Sequence, residues 1–517
     1  MTRTDPENRK RAIAFFYSAL PATAVCLAVL FFVLKKDISS TFSFLIALLS
    51  FLLSAGVCFL LLQKNSIPQW MTSARWGRPL FYICLCADLA ALGFFLYFEE
   101  DYESAASADF WWHVLPVYVV LPLFGLASLA VLYHVGDVGV ENEMTENWIS
   151  VLLDIYHVGM AFLFAAGCVL TNYFAGDTYH EDAYLHPIYN VLHNIPYSDV
   201  SYSIYGHYEL LYKLPMLFWG TNPGIPLSFI FFIAFMGALI LLFLLRRVTG
   251  DLVLLVMAPV ALVVPTVVMF FNTSYQTTPH RIFFGIVLLG YALHLDKEEV
   301  LSKGQILAGI LLCTLAVLWN TESGAVCCVA WTVFVISKML QMQMVSFKTV
   351  TKSFGLLLLF CPAPFAGALL IVNIYNLFVG GDPVFTSFFY PFINADFIAH
   401  YEIKLKFSNL PYLYVMILGL ASFFWGVGRS VLLPQEDKTH ASLMATCGTL
   451  ILGLEAYYTT RATYYGLLIV TPFVVFALVF FGDRGKAAIR AAFHRQDLSH
   501  TAALKAGIAA GCVIVLV

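Results

Sequence analysis

Asp177, His180, Glu181 and Asp182 fall within six consecutive positions of a long stretch running from Thr171 to Gly224. Carboxylates grouped in this way can take a proton from a hydroxyl nucleophile, whose own pKa lies far above 7. With His180 and His186 close by, Glu181 and Asp182 are also candidate ligands for a divalent metal such as magnesium or manganese, though the spacing is not that of a zinc motif. Farther along, Arg281 follows Thr277-Thr278-Pro279-His280, Glu322 sits in Asn320-Thr321-Glu322-Ser323-Gly324, and Arg461 follows Thr459-Thr460. The planar fork of an arginine binds phosphate oxygens in pairs. Plainer roles compete with each of these. An acidic loop can simply be solvated, an arginine can snorkel to lipid head groups, and Glu322 can cap a helix.

The elements that must hold these groups follow from composition. Of 517 residues, 60% are hydrophobic and 12% charged, and the mean hydropathy is +0.82. A soluble domain carries about 25% charged residues, so this chain cannot clothe a water-facing surface, and lipid is the alternative solvent. A net charge of −4 gives no basic face for nucleic acid. The eleven cysteines mostly sit inside apolar runs, as Cys84, Cys86, Cys327 and Cys328 do, which is the placing of small buried hydrophobes.

Apolar segments fall at 12–34, 41–63, 79–98, 112–134, 148–170, 225–247, 251–272, 281–296, 304–319, 324–341, 354–376, 410–428, 441–457, 464–481 and 503–517. The spacing predicts an all-α, polytopic bundle of about 13 to 15 spans, the segments at 281–296 and 304–319 being short for the task. Arg9, Lys10 and Arg11 precede a run long enough to span, with no cleavage site, which places the N-terminus in the cytoplasm. Alternate loops then gather Lys64, Arg75, Arg246, Arg247, Lys297, Lys338, Arg429 and Arg484 on the cytoplasmic side, with Lys35, Lys36, Lys404 and Lys406 as exceptions. The long stretch 171–224 and the segment 377–409 fall outside. Asp88, Asp154 and His157 lie within apolar segments, where ionisable groups are costly. Asp154 and His157 share a helix face three residues apart and are expected to form a structural pair.

The outer stretch reads TNYFAGDTYHEDAYLHPIYNVLHNIPYSDVSYSIYGHYELLYKLPMLFWG. Pro187 is expected in the first turn of a short interfacial helix whose apolar positions are Ile188, Val191, Leu192 and Ile195. An acidic cluster, an amphipathic helix, Pro196-Tyr197-Ser198-Asp199, and then Tyr205-Gly206 before an apolar helix make up one pattern. It resembles the first large extracytoplasmic loop of GT-C-fold glycosyltransferases that use polyprenyl-phosphate-linked sugars. Asn194 stands where that family's bacterial members often have glycine, and His207 where they have proline. The stretches TTPHRIFF, WNTESG and YYTTRATYYG fit the same side, so the resemblance covers about 148–481. Four predicted spans precede the loop, where the family usually has one.

The resemblance implies a GT-C-like core at 148–481, an N-terminal extension of four spans at 1–147, and a basic segment with a last span at 482–517. It implies an integral membrane enzyme that transfers a sugar to an extracytoplasmic glycan, lipid or protein acceptor. Asp182 would be the base, with Glu181 and Asp177 next in line. Arg281 and Arg461 would hold the donor phosphate, with His280, Glu322, Asp199, Tyr205 and His186 lining the substrate site. The partners are then the lipid-linked donor, the acceptor and membrane lipid, and no cofactor is required beyond the candidate metal. The rival class is a transporter or flippase for a lipid-linked or small polar solute, which calls for charges near the membrane midplane and broken helices.

Overall fold

The computed structural model describes residues 147–175, 178–199, 205–219, 224–268, 277–342, 347–389, 410–432, 438–460 and 464–493. The expected N-terminal extension, the last span, Asp88, Asp177 and Arg461 lie outside the described residues.

The described residues form thirteen α-helices and no strand. They are α1 (Asn147–Ala175), α2 (Thr178–Leu192), α3 (Glu209–Trp219), α4 (Gly224–Val248), α5 (Leu252–Val268), α6 (Phe283–Leu295), α7 (Lys303–Trp319), α8 (Thr321–Met342), α9 (Phe347–Phe360), α10 (Pro362–Phe378), α11 (Leu410–Leu432), α12 (Ala441–Thr460) and α13 (Thr471–Phe493). A short 3₁₀ segment, Tyr464–Ile469, precedes α13. Among the described residues, four stretches are long and apolar enough to cross a membrane: Pro226–Val248, Thr321–Met342, Thr351–Phe378 and Tyr414–Val431. Shorter apolar helices accompany them, among them Leu153–Val169 and Ala441–Ala456. By length and composition these helices mark a membrane protein. The outward faces agree: Phe162 on α1, Phe243 on α4, Leu311 on α7 and Leu370 on α10 are all more than half exposed. Inside, buried hydroxyls are satisfied locally, as when Thr332 bonds to the Cys328 carbonyl and Thr446 to that of Ser442.

Local sequence sets the helix boundaries. Ser302 and Gln305 exchange bonds in a capping box at the start of α7. Asn320 ends α7 and caps α8, its Oδ1 accepting the Ser323 amide at 2.8 Å. Pro362 opens α10, where its missing N–H costs nothing; α9 and α10 meet at Cys361, and the apolar segment expected at 354–376 lies within the single stretch Thr351–Phe378.

Packing gives the helices their direction. Arg281, just before α6, bonds Glu322 in the first turn of α8, while Asp296, just after α6, lies 4.0 Å from Lys338 near the end of α8. The two helices therefore run parallel, with α7 returning between them. Gln341 bonds Ser442 at 2.8 Å, which makes α12 antiparallel to α8. Helices α11 and α12 pack closely, since a Cβ at Gly448 would strike the Phe423 backbone.

One end of the bundle accordingly gathers Asp296, Lys338, Lys438 and His440. The other end gathers Arg281 and Glu322. Asp154 and His157 do not pair with each other. Asp154 bonds Arg246, and His157 Nε2 donates to the Leu255 carbonyl at 3.0 Å. Each reaches a different neighbouring helix, α4 and α5.

Candidate functional site

The end that carries Arg281 is built from four pieces: helix α2, the turn Tyr205–Tyr208 that leads into α3, the turn Thr277–Ile282 and the α7–α8 junction. Helix α2 begins at Thr178, nine residues before Pro187, so the proline is inside the helix and not in its first turn. The cause is burial: Tyr184, Ile188 and Val191 share one face at helical spacing, and each is nearly inaccessible. Ile195 lies past the helix end. The structure thus puts His180, Glu181 and Asp182 on the first turns of a helix, not in a loop.

His280 is the hub of this region. It is buried, and its Nε2 lies 3.0 Å from the Tyr205 carbonyl, which can only accept, so Nε2 carries the proton. Nδ1 then accepts from the Tyr184 hydroxyl at 3.1 Å. Burial, with a smaller contribution from the Arg281 charge, pushes the imidazole down to about 3, against the opposing pull of the Tyr205 carbonyl. His280 stays neutral and positions its neighbours. The Tyr205 carbonyl also accepts from Asn320 Nδ2 at 2.7 Å, the His207 amide donates to the Leu318 carbonyl at 2.8 Å, and Trp319 Nε1 donates to the His280 carbonyl at 2.7 Å. Gly206 makes the approach possible: its φ is +117°, and a Cβ there would collide with the Trp319 carbonyl. Around this frame Tyr184 stacks on Tyr208 at 4.5 Å, and Tyr212 stacks on Trp319.

A second buried group sits beside it. Tyr197 donates its hydroxyl to Glu209 Oε1 at 2.6 Å, and Glu209 is wholly buried, its Oε2 meeting no bonding partner among the described residues. Burial pushes this carboxyl up to about 8, partly offset by the tyrosine bond. His207 stacks on Phe388 and meets Tyr197 edge-on, and burial pushes it down to about 4. The turn Ile195–Asp199 is fastened to the end of α10. The Tyr197 amide donates to Asn376 Oδ1 at 2.9 Å, Tyr375 donates to the Ile195 carbonyl at 2.9 Å, and the Asp382 amide donates to Ser198 Oγ at 3.1 Å. Segments 171–224 and 377–409, expected on one side, thus meet through their described parts. Glu209 is not among the carboxylates that the sequence pattern selects. Its signal was an acid between Tyr208 and Leu210 at the start of an apolar helix.

Arg281 and Glu322 form the third feature. Arg281 Nη2 donates to Glu322 Oε2 at 2.8 Å, with side-chain exposures of 3% and 31%. The guanidinium also lies 5.8 Å from the Tyr205 ring centre.

No family model, curated protein or solved structure matches the chain.

Of the other candidates, Asp182, His186 and Asp199 are exposed. Asp182 stands two residues before Tyr184, whose hydroxyl bonds the residue preceding Arg281. Helix α2 is therefore docked against the mouth of α6. For His180 and Glu181 the structure describes the backbone alone. Among the described residues, no group of three His, Cys, Asp or Glu side chains is placed to hold a metal ion.

Proposed function

We propose that the protein is a polytopic membrane glycosyltransferase of GT-C type. It would take a sugar from a polyprenyl-phosphate donor and pass it to an extracytoplasmic acceptor. The observation that carries this reading is the bond from Tyr184 to His280. It docks the helix bearing Asp182 against the turn bearing Arg281. A water-exposed carboxylate and an arginine thus share one end of a bundle whose other end holds Lys338 and Lys438.

In the proposed reaction Asp182 takes the acceptor's hydroxyl proton as its oxygen attacks the anomeric carbon. The bond from that carbon to the phosphate oxygen breaks, and its electron pair stays on the phosphate. Arg281 and Arg461 stabilise that developing charge, while the polyprenyl tail stays in the surrounding lipid. Glu181 and Asp177 are the alternative bases, and His180 with Glu181 and Asp182 the candidate metal set. The N-terminus and the basic end are cytoplasmic in this arrangement. Transfer from a defined donor, compared between the parent and Asp182→Asn, tests it: full activity in the variant removes Asp182 from the chemistry.

Glu455 favours a second reading, a transporter or flippase. It is wholly buried in α12, and among the described residues its carboxylate meets no charged partner, only the Met416 backbone. A carboxyl so placed is a natural site for a translocated proton or cation. Uptake into proteoliposomes that is lost in Glu455→Gln would favour this class over the enzyme.

A further inference from the structure

Arg281 and Glu322 close one end of the parallel pair α6 and α8, and Asp296 with Lys338 closes the other. The two closures differ in kind. At the far end both partners are buried, with side-chain exposures of 5% and 4%, and Asp296 Oδ2 is further bound by the His440 amide and Nδ1, each at 2.9 Å. At the near end the arginine is buried to the same degree, but the carboxylate is a third exposed. Among the described residues Glu322 gives one oxygen to Arg281 and makes no other side-chain bond. A pair that serves only as a clamp gains from being closed on both sides. One that is open on its anionic side leaves the carboxylate accessible to an exchanging anion.

The restraint is one-sided. Arg281 follows His280, which is held at both ring nitrogens and at its carbonyl, and its guanidinium rests against Tyr205. Glu322 has its backbone fixed by the Asn320 cap, yet its side chain reaches water. Among the described residues no second bond holds its carboxylate in place. The bond it makes is of the charge-assisted kind that a phosphate oxygen would replace with equal geometry.

We propose that Glu322 is an internal stand-in for a phosphate monoester: it occupies the anion position on Arg281 in the resting protein and swings out when the phosphate binds. The inference rests on the reading of Arg281 as a phosphate ligand, and it adds that this site is latched by its own carboxylate. Removing the latch charge should therefore strengthen phosphate binding, the opposite of what removal of a direct ligand or a structural clamp does.

The test is equilibrium binding to the full chain in nanodiscs, with polyprenyl monophosphate, neutral polyprenol and inorganic phosphate as probes. Glu322→Gln is expected to tighten polyprenyl monophosphate binding by about tenfold, the scale of one charge-assisted bond no longer displaced, and to leave polyprenol binding unchanged. Glu322→Asp, which keeps the charge but shortens the reach, should tighten it by a smaller factor and serves if the glutamine variant does not fold. Arg281→Gln should abolish the difference between phosphate and polyprenol. If inorganic phosphate follows the same pattern, the site takes free phosphate. If only the lipid does, the head group is the ligand. Unchanged or weaker monophosphate binding in both Glu322 variants overturns the proposal. The binding pattern without any sugar transfer would count against the glycosyltransferase alone. Transfer with no influence of Glu322 on monophosphate binding would count against the latch alone.

Discussion

Tyr197 donates to Glu209 across 2.6 Å in a place where neither side chain meets water. The bond ties the turn docked on α10 to the first residue of α3, and so ties both to the frame around His280. Breaking the tie should loosen this end of the protein before it affects the rest.

Its pH dependence has a definite sign. Burial lifts Glu209 from the ordinary value of 4.5 to about 8. Between those limits the folded chain holds a proton that the unfolded chain has released, so this residue's contribution to stability falls as pH rises from 4.5 and levels off above 8. His207 acts oppositely: lowered from 6.5 to about 4, it makes the fold less stable as pH drops through that interval. Subtracting the melting profile of Glu209→Gln from that of the parent should leave a slope confined to pH 4.5–8. A difference independent of pH would show that Glu209 is ionised in the fold.

Gly206→Ala should cost more than about 2 kcal/mol, because it places a side chain at positive φ and against the Trp319 carbonyl. A denaturation midpoint equal to that of the parent would mean that the Tyr205–His207 turn does not enter the α7–α8 junction.

Arg281→Lys keeps the charge and loses the fork. Because Glu322 is partly open to water, the stability change should be small, about 1 kcal/mol. Turnover with a lipid-phosphate sugar should fall by about tenfold or more. Parent-like turnover would reduce Arg281 to a helix clamp.

Sidedness can be read by labelling introduced cysteines. Replacements at Asp182 and Asp199 should react with an impermeant reagent from outside, and those at Lys303 and Thr439 only after the membrane is opened, all four being exposed. Reaction of all four from the same side would overturn the proposed orientation.

Much of the helical layout could be read from hydropathy, because an apolar run ended by a cap has few alternatives. The segment expected at 225–247 is α4, and that at 304–319 is α7, which Ser302 and Gln305 cap. Hydropathy misled where a helix outlasts its apolar run. Helix α13 continues past the expected limit at 481 to Phe493, since Arg484, Lys486 and Arg490 are good helix formers. Pro187 misled for another reason: burial of the Tyr184 face outweighs the local break. At the site, the pattern brought out Arg281 and Glu322 separately but not their bond, which depends on α6 and α8 being parallel. Glu209 stayed hidden because an acid next to a predicted interface is usually solvated, and only tertiary packing buries it.

Sugar transfer by the purified chain in nanodiscs is the most direct test of the central claim. A panel of radiolabelled polyprenyl-phosphate sugars would be offered with membrane glycan and lipid acceptors, and release of polyprenyl phosphate would be followed alongside. The account predicts that at least one donor is consumed with matching transfer of label, and that Asp182→Asn lowers this rate by about 10²–10⁴ while melting as the parent does. Donor binding with no release of polyprenyl phosphate from any sugar, or equal rates in parent and variant, would contradict it.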